Sequence, residues 1–168
     1  MRRMDAIKLL ACSLACGLAA LASGCATPLP SSGAARAEVI KAWGVPTAVY
    51  ALTPAGERLE YASGPYGRTT WMIDIDAAGR VLQARQVLGD SELMLFQQHA
   101  GLTRDEVLRR IGSPGERRTA RRGGEVWSWR YPTNDCLWFQ VSVARDGSTD
   151  SGAFAIDPEC DARDPRSD

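Results

Sequence analysis

The sequence predicts an α+β fold made of two tandem repeats, each a helix followed by antiparallel strands. Three observations support this expectation: the chain resembles itself at a shift of 68 residues, residues that start and stop helices bound its short helical segments, and alternating strand-like segments are separated by turn residues. The predicted repeats are residues 35–88 and 89–160.

The self-similarity aligns equivalent residues without a gap. Val39 aligns with Val107, and the Gly-x-Pro that begins at Gly44 aligns with the one that begins at Gly112. Hydrophobic positions also stay in phase over about 45 residues, both in the helical segments and in the alternating ones. Chance identities would not keep two different periodicities aligned, so we interpret the chain as a tandem repeat.

The second copy contains the better-bounded helix. Thr103 and Glu106 fit a capping box, and Leu102 with Val107 fits the accompanying hydrophobic staple. Gly112 suits the end of this helix because glycine readily adopts a left-handed conformation. The first copy predicts a helix over residues 36–43. Another helix is expected between the copies, capped by Asp90 or Ser91 and closed at Gly101.

Alternating segments bounded by turn residues predict the strands. The expected strands are residues 48–52, 58–62, 70–75 and 81–88 in the first copy, and 116–120, 126–131 and 137–143 in the second.

The second copy resembles the SmpA/OmlA (BamE-like) lipoprotein domain. The residues concerned are Gly101-Leu102-Thr103-Arg104-Asp105-Glu106-Val107, Ile111-Gly112-x-Pro114 and Trp129-Arg130-Tyr131. The resemblance implies ααβββ units, in which a helix pair packs on a three-stranded antiparallel sheet, and no enzymatic activity. It also implies an accessory role in the machinery that folds barrels into the outer membrane. The doubled arrangement is similar to that of beta-lactamase inhibitor protein, whose repeats form a concave binding sheet, although architecture alone does not give function.

Residues 1–24 have the layout of a secretory signal peptide. Three basic residues precede an apolar run over residues 9–22, which is shorter than the roughly 20 residues that a membrane-spanning helix needs. The run ends in a sequence that resembles the lipobox of bacterial lipoproteins, Leu21-Ala22-Ser23-Gly24-Cys25. This implies cleavage before Cys25 and lipid, including palmitate, on that residue. Ala26, in place of the aspartate that signals inner-membrane retention, implies the periplasmic face of the outer membrane. Ordinary secretion with a free Cys25 thiol is the alternative.

Two cysteines remain once the signal peptide and the lipid site are set aside. Cys136 and Cys160 are expected to form a disulfide in the oxidising periplasm. Residues 25–34 form a lipid-anchored linker; its part after Cys25 can reach at most roughly 30 Å, and residues 161–168 form a disordered tail.

The charge balance argues against nucleic-acid binding. Cleavage before Cys25 leaves 17 basic and 19 acidic residues, without the excess of positive charge that neutralises phosphates.

His99 is the only histidine and has no nucleophile motif beside it, so no catalytic, metal or cofactor site is expected. Asp74 and Asp76 fit a hairpin turn better than a calcium loop. The basic cluster Arg117, Arg118, Arg121 and Arg122 fits a solvated hairpin tip, with lipid head groups or an acidic partner as alternatives.

The aromatic residues suggest one possible partner-binding face. Trp138 falls on the strand face opposite to the predicted core, so we expect the face that bears Met72, Trp138 and Gln140 to bind an envelope protein. Packing of Trp138 on the tail near Cys160 is the alternative.

The expected function is a non-catalytic interaction module in envelope or outer-membrane protein assembly and maintenance. The alternative is an inhibitor or ligand-binding lipoprotein that uses a concave double sheet.

Overall fold

The computed structural model describes residues 27–157 with the exception of residues 65, 122 and 134. Over these residues the chain forms three helices and eight strands. They are, in order, α1 (Arg36–Trp43), β1 (Ala48–Ala51), β2 (Glu57–Ala62), β3 (Thr70–Ile75), β4 (Val81–Gln86), α2 (Asp90–Gln97), α3 (Arg104–Ile111), β5 (Glu116–Thr119), β6 (Glu125–Arg130), β7 (Leu137–Val143) and β8 (Ala153–Ile156). The strands form two antiparallel four-stranded sheets, β1-β2-β3-β4 and β5-β6-β7-β8. The protein is therefore a mixed α+β protein, as the sequence predicts.

The two sheets have the same strand registers when one is shifted by 68 residues. The equivalent pairs include Trp71–Gln86 and Phe139–Phe154, Ile75–Val81 and Val143–Thr149, and Ala35–Arg80 and Thr103–Ser148. This correspondence extends the sequence similarity to the backbone hydrogen bonds and is compatible with a two-repeat arrangement.

Each sheet buries one face under helices. Val39 of α1 packs on the face of the first sheet that bears Leu59, Ile73, Ile75 and Val81. Helices α2 and α3 cover the second sheet through residues that include Leu93, Phe96, Val107 and Ile111, which contact Trp127, Trp129, Phe139, Val141 and Val143. Leu88, at the end of the first repeat, belongs to this second core and so joins the two halves.

The capping box predicted for the second copy is present. The Glu106 N–H donates to Thr103 Oγ1 over 3.3 Å, and the Thr103 N–H donates to Glu106 Oε2 over 2.8 Å. In α1 the N-cap residue is Ala35, whose side chain cannot accept a hydrogen bond. Only the reciprocal bond remains there, from the Ala35 N–H to Glu38 Oε2 over 3.0 Å.

Four expectations about the elements need correction. Each sheet has four strands where the resemblance implied three; the sequence itself predicts the fourth strand of the first sheet, at residues 81–88, but does not predict β8. Among the described residues only the second half has a helix pair, as the sequence predicts, whereas the resemblance implied one in each repeat. Helix α2 has Gly89 as its N-cap residue, with no side-chain cap, and ends at Gln97 before Gly101. Asp90 lies instead in the first turn, where the positive end of the helix dipole favours an acid.

The N-terminal part of the described chain lies against α1. The Trp43 Nε1–H group donates to the Pro28 carbonyl oxygen over 3.2 Å, so the expected linker is held at Pro28. Within the described ranges, no helix combines the length and apolar character that crossing a bilayer requires.

Candidate binding site between the two repeats

The end of α3 closes the second face of the first sheet. Glu60 of β2 is completely buried there; its Oε1 accepts a 2.8 Å hydrogen bond from the Ser113 N–H, and its Oε2 accepts a 2.5 Å bond from the Tyr50 hydroxyl. Burial, followed by the hydrogen bond to Glu60, raises the pKa of Tyr50, so the phenol remains a donor. This buried carboxylate attaches the second repeat to the first.

Gly112 is required for that contact. Its φ is +80°, and a Cβ atom there would lie 2.6 Å from Thr70 Cγ2 and 3.1 Å from Glu60 Cδ. A side chain would therefore collide with the first sheet in a backbone conformation that already favours glycine.

Arginines add hydrogen bonds across the same junction. Arg58 binds both carboxylate oxygens of Asp74, at 2.5 and 2.8 Å, and donates to the Arg109 carbonyl oxygen at 2.7 Å. Arg109 in turn donates to the Ala51 carbonyl oxygen at 2.6 Å. Burial alone would raise the pKa of Asp74, but hydrogen bonds from Arg58 and Gln83 and the nearby positive charges hold it below its usual value.

A cleft of about 380 Å³ lies beside this junction, between the first sheet and helices α2 and α3. We call it the inter-repeat cleft; its lining residues are Arg58, Arg85, Glu92, Leu95, Phe96, His99, Arg110 and Ile111.

The inter-repeat cleft has more basic than acidic side chains. Asp74 neutralises Arg58, and Glu92 binds Arg85 at 3.2 Å. Within the described part of the chain, Nε of Arg85 is buried without a hydrogen-bond partner, and the exposed Arg110 makes no side-chain hydrogen bond or ion pair. Guanidinium groups with free donors suit carboxylate or phosphate oxygens.

His99 lines the same cleft. The sequence indicated a helix-end surface residue, and its Nδ1 lies 2.8 Å from the Leu95 carbonyl oxygen, one turn back. This contact occupies one ring nitrogen and orients the imidazole at the mouth of the cleft.

The expected partner-binding face is not open. Met72 is completely buried, and only 6% of Trp138 is exposed, so the expectation that these two side chains offer an accessible surface is wrong. Gln140 is half-buried and donates to Ser128 Oγ over 3.0 Å. Alternation placed these residues outside the helix-covered core, but it could not show that other parts of the chain cover the second faces of both sheets.

Trp138 is covered by a charged residue. The Arg130 guanidinium lies over its ring, 5.5 Å from the centroid, and pairs with Asp157 at 3.0 Å. In the first sheet, the positions equivalent to Trp138 and Ser128 are Thr70 and Glu60, which contact Gly112 and Ser113. The second sheet has Trp138 and Ser128 there instead, so it does not repeat the docking surface.

The predicted covalent sites lie mostly outside the described residues. Cys25, the signal peptide, Cys160 and residues 161–168 are all beyond them. Cys136 is disulfide-bonded. Its pairing with Cys160 and the lipid on Cys25 stay predictions.

The acidic hairpin adopts the predicted turn. Asp76 Oδ1 accepts hydrogen bonds from the N–H groups of Ala78 and Arg80, at 2.9 and 2.8 Å, while Asp74 pairs with Arg58. In the ranges that the structure describes, no three acidic, histidine or cysteine side chains are grouped to hold a metal ion.

Comparison with known proteins identifies no relative. No protein-family model matches the chain, and no curated protein or solved structure is significantly similar to it. The resemblance to the SmpA/OmlA domain therefore depends on the sequence motifs of the second copy.

Proposed function

We propose that this chain is a bacterial lipoprotein precursor whose mature form begins at a lipidated Cys25 on the periplasmic face of the outer membrane. There it acts as a non-catalytic protein-interaction module in envelope or outer-membrane protein assembly and maintenance. The sequence supports the anchoring through the short apolar run and the lipobox-like residues that end at Cys25.

One contact supports the proposed relationship to the SmpA/OmlA domain. The Nε1–H group of Trp129 donates to the Gly112 carbonyl oxygen over 3.1 Å. It joins the Trp-x-Tyr strand to the Ile-Gly-x-Pro helix end, the two separated motifs on which the resemblance rests. The first repeat has an equivalent bond, from the Tyr61 hydroxyl to the Gly44 carbonyl oxygen over 3.1 Å. The same helix-to-sheet connection therefore occurs in both halves.

Mild crosslinking in cells followed by copurification tests the interaction role. We expect barrel-assembly subunits to copurify with the unaltered protein. We expect them to be lost with a Cys25→Ala variant, which is no longer held at the membrane. Failure to recover any envelope protein at matched expression would overturn the role. Palmitate labelling and outer-membrane fractionation of the same two proteins test the anchor separately.

The inter-repeat cleft favours a second candidate, a ligand-binding lipoprotein that takes an anionic small molecule. The alternative of a concave double sheet that binds a ligand has no support, because the two sheets are separate. In addition, the second face of the first sheet is buried at Glu60, Thr70, Met72 and Asp74. The exposed guanidinium of Arg110, which makes no hydrogen bond or ion pair with the described residues, supports the cleft instead.

Titration with inorganic phosphate, followed by amide NMR shifts, tests this candidate. Shifts in α2 and α3 that weaken in Arg110→Ala but persist in Arg104→Ala would support it. Arg104 is the matched control because it is exposed on the same helix and does not line the cleft. Equal responses in both variants would count against the cleft.

A further inference from the structure

The structure holds the chain close to the proposed lipid site. Pro28, three residues after Cys25, accepts the hydrogen bond from the Trp43 indole at the end of α1. The Trp43 ring is itself fixed by edge-to-face contacts with Tyr61 and Trp71, at centroid distances of 5.4 and 6.0 Å. Pro28 is therefore attached to the core of the first repeat and does not belong to a free tether.

Chain geometry then limits the distance between the anchor and this part of the fold. Three residues span at most about 11 Å when fully extended. A lipidated Cys25 must lie within that distance of Pro28, far less than the roughly 30 Å that a free nine-residue linker would allow. A lipid on Cys25 would therefore hold the C-terminal end of α1 near the bilayer.

The surface at this end of α1 is apolar and basic. Leu29 is 54% exposed and lies in a shallow groove with Ala42 and Trp43. Val45, two residues beyond Trp43, is 88% exposed. Lys41 provides an exposed positive charge in the last helical turn. The one acid of the groove, Glu38, is engaged with the Ala35 N–H at the other end of the helix.

The repeat shows that this loop is a contact surface elsewhere in the chain. Gly44, Val45 and Pro46 are equivalent to Gly112, Ser113 and Pro114, and in the second repeat that loop packs against Glu60 and Thr70. In the first repeat, no described residue covers Val45 to a similar extent, and an apolar side chain replaces the serine.

We infer that the C-terminal end of α1, through Leu29, Lys41 and Val45, rests on the bilayer surface and orients the module on the membrane. This inference rests on the proposed lipidation of Cys25. Apolar side chains enter the boundary between head groups and acyl chains, and the lysine favours anionic head groups. Arg117, Arg118 and Arg121 are also exposed basic residues, but the chain does not tie them to the anchor.

Site-directed spin labelling of the lipidated protein tests this orientation. A nitroxide is placed at Val45→Cys and, as a matched control, at Met94→Cys, which is a 63% exposed apolar site on α2. The labelled proteins are reconstituted in vesicles of phosphatidylethanolamine and phosphatidylglycerol. Collisions with a water-soluble nickel chelate and with lipid-soluble oxygen are then measured, with and without vesicles.

Vesicle attachment is expected to reduce nickel collisions at Val45 severalfold and to raise oxygen collisions there, with no change at Met94. Protein that floats with vesicles but leaves both labels equally open to nickel would overturn the orientation and leave the anchor intact. Protection at Met94, or at a label on Arg118, would likewise overturn it. If the protein purified from cell membranes does not float with the vesicles, both the anchor and the orientation would be overturned.

Discussion

The backbone N–H of Ser113 donates a 2.8 Å hydrogen bond to the completely buried carboxylate of Glu60, 53 residues earlier in the chain. A carboxylate is stable in such a place only when donors satisfy it, and the Tyr50 hydroxyl supplies the second one. The contact therefore joins the two repeats in the folded protein.

Glu60→Ala is expected to lower the free energy of unfolding by about 2 to 3 kcal/mol, because it leaves the buried donors of Ser113 and Tyr50 without their acceptor. Urea denaturation of the soluble Cys25→Ala protein measures this. Glu57→Ala is the control, since Glu57 forms a more exposed ion pair with Arg36, and its loss should cost less than about 1 kcal/mol. Equal losses in the two variants would show that Glu60 does not support the junction.

Asp74 makes stability depend on acid pH. Because the folded protein holds its pKa below the usual value of about 4, the carboxylate stabilises the fold above that pH. The contribution is lost as the pH falls through the lowered pKa. The difference in unfolding free energy between the unaltered protein and Asp74→Asn should therefore shrink between neutral pH and about pH 3. A constant difference over this range would contradict the ion pair with Arg58.

Ala35→Thr is expected to stabilise the first repeat by about 0.5 to 1 kcal/mol. Ala35 occupies the N-cap position that Thr103 occupies in the second repeat, and Glu38 already makes the reciprocal bond. A threonine hydroxyl would complete the capping box. Thermal unfolding of Ala35→Thr and Thr103→Ala should show shifts of opposite sign, and a loss of stability in both would show that the two caps are not equivalent.

Trp138→Ala is expected to lower the free energy of unfolding by about 3 to 5 kcal/mol, because the indole is buried on the second sheet. Tyr66→Ala is the matched control: Tyr66 also contacts Arg130, at 4.9 Å, but is mostly exposed. Its loss should cost about 0.5 to 1 kcal/mol. Small and equal effects on denaturation would restore Trp138 as a candidate for partner contact.

Local patterns in the sequence predict most of the fold. Helix α3 has a cap, a staple and a terminating Gly-x-Pro, so its start after Thr103 and its end at Gly112 are as expected. The strands alternate strongly enough to place β2, β3, β6 and β7 to within one residue. Strand β8 escaped prediction because it is a four-residue edge strand, with little burial to give it a pattern. Only its pairing with β7 identifies it.

Long-range contacts explain what the sequence could not predict about the candidate site. Glu60 lies on the strand face that should meet solvent, and only the arrival of Ser113 makes it an interior residue. Arg85 and Arg110 come from different elements, and each alone reads as a surface charge. Their shared cleft exists because α2 and α3 lie beside the first sheet. Periodicity identifies the face of an element but does not identify what covers it.

The intact mass of the protein extracted from outer membranes tests the proposed anchoring most directly. We expect a chain that begins at Cys25 and carries the added mass of a diacylglycerol and an amide-linked acyl chain, with a mass consistent with one disulfide. A chain that begins elsewhere, or that begins at Cys25 with an unmodified thiol, would contradict the proposal of a lipid-anchored module.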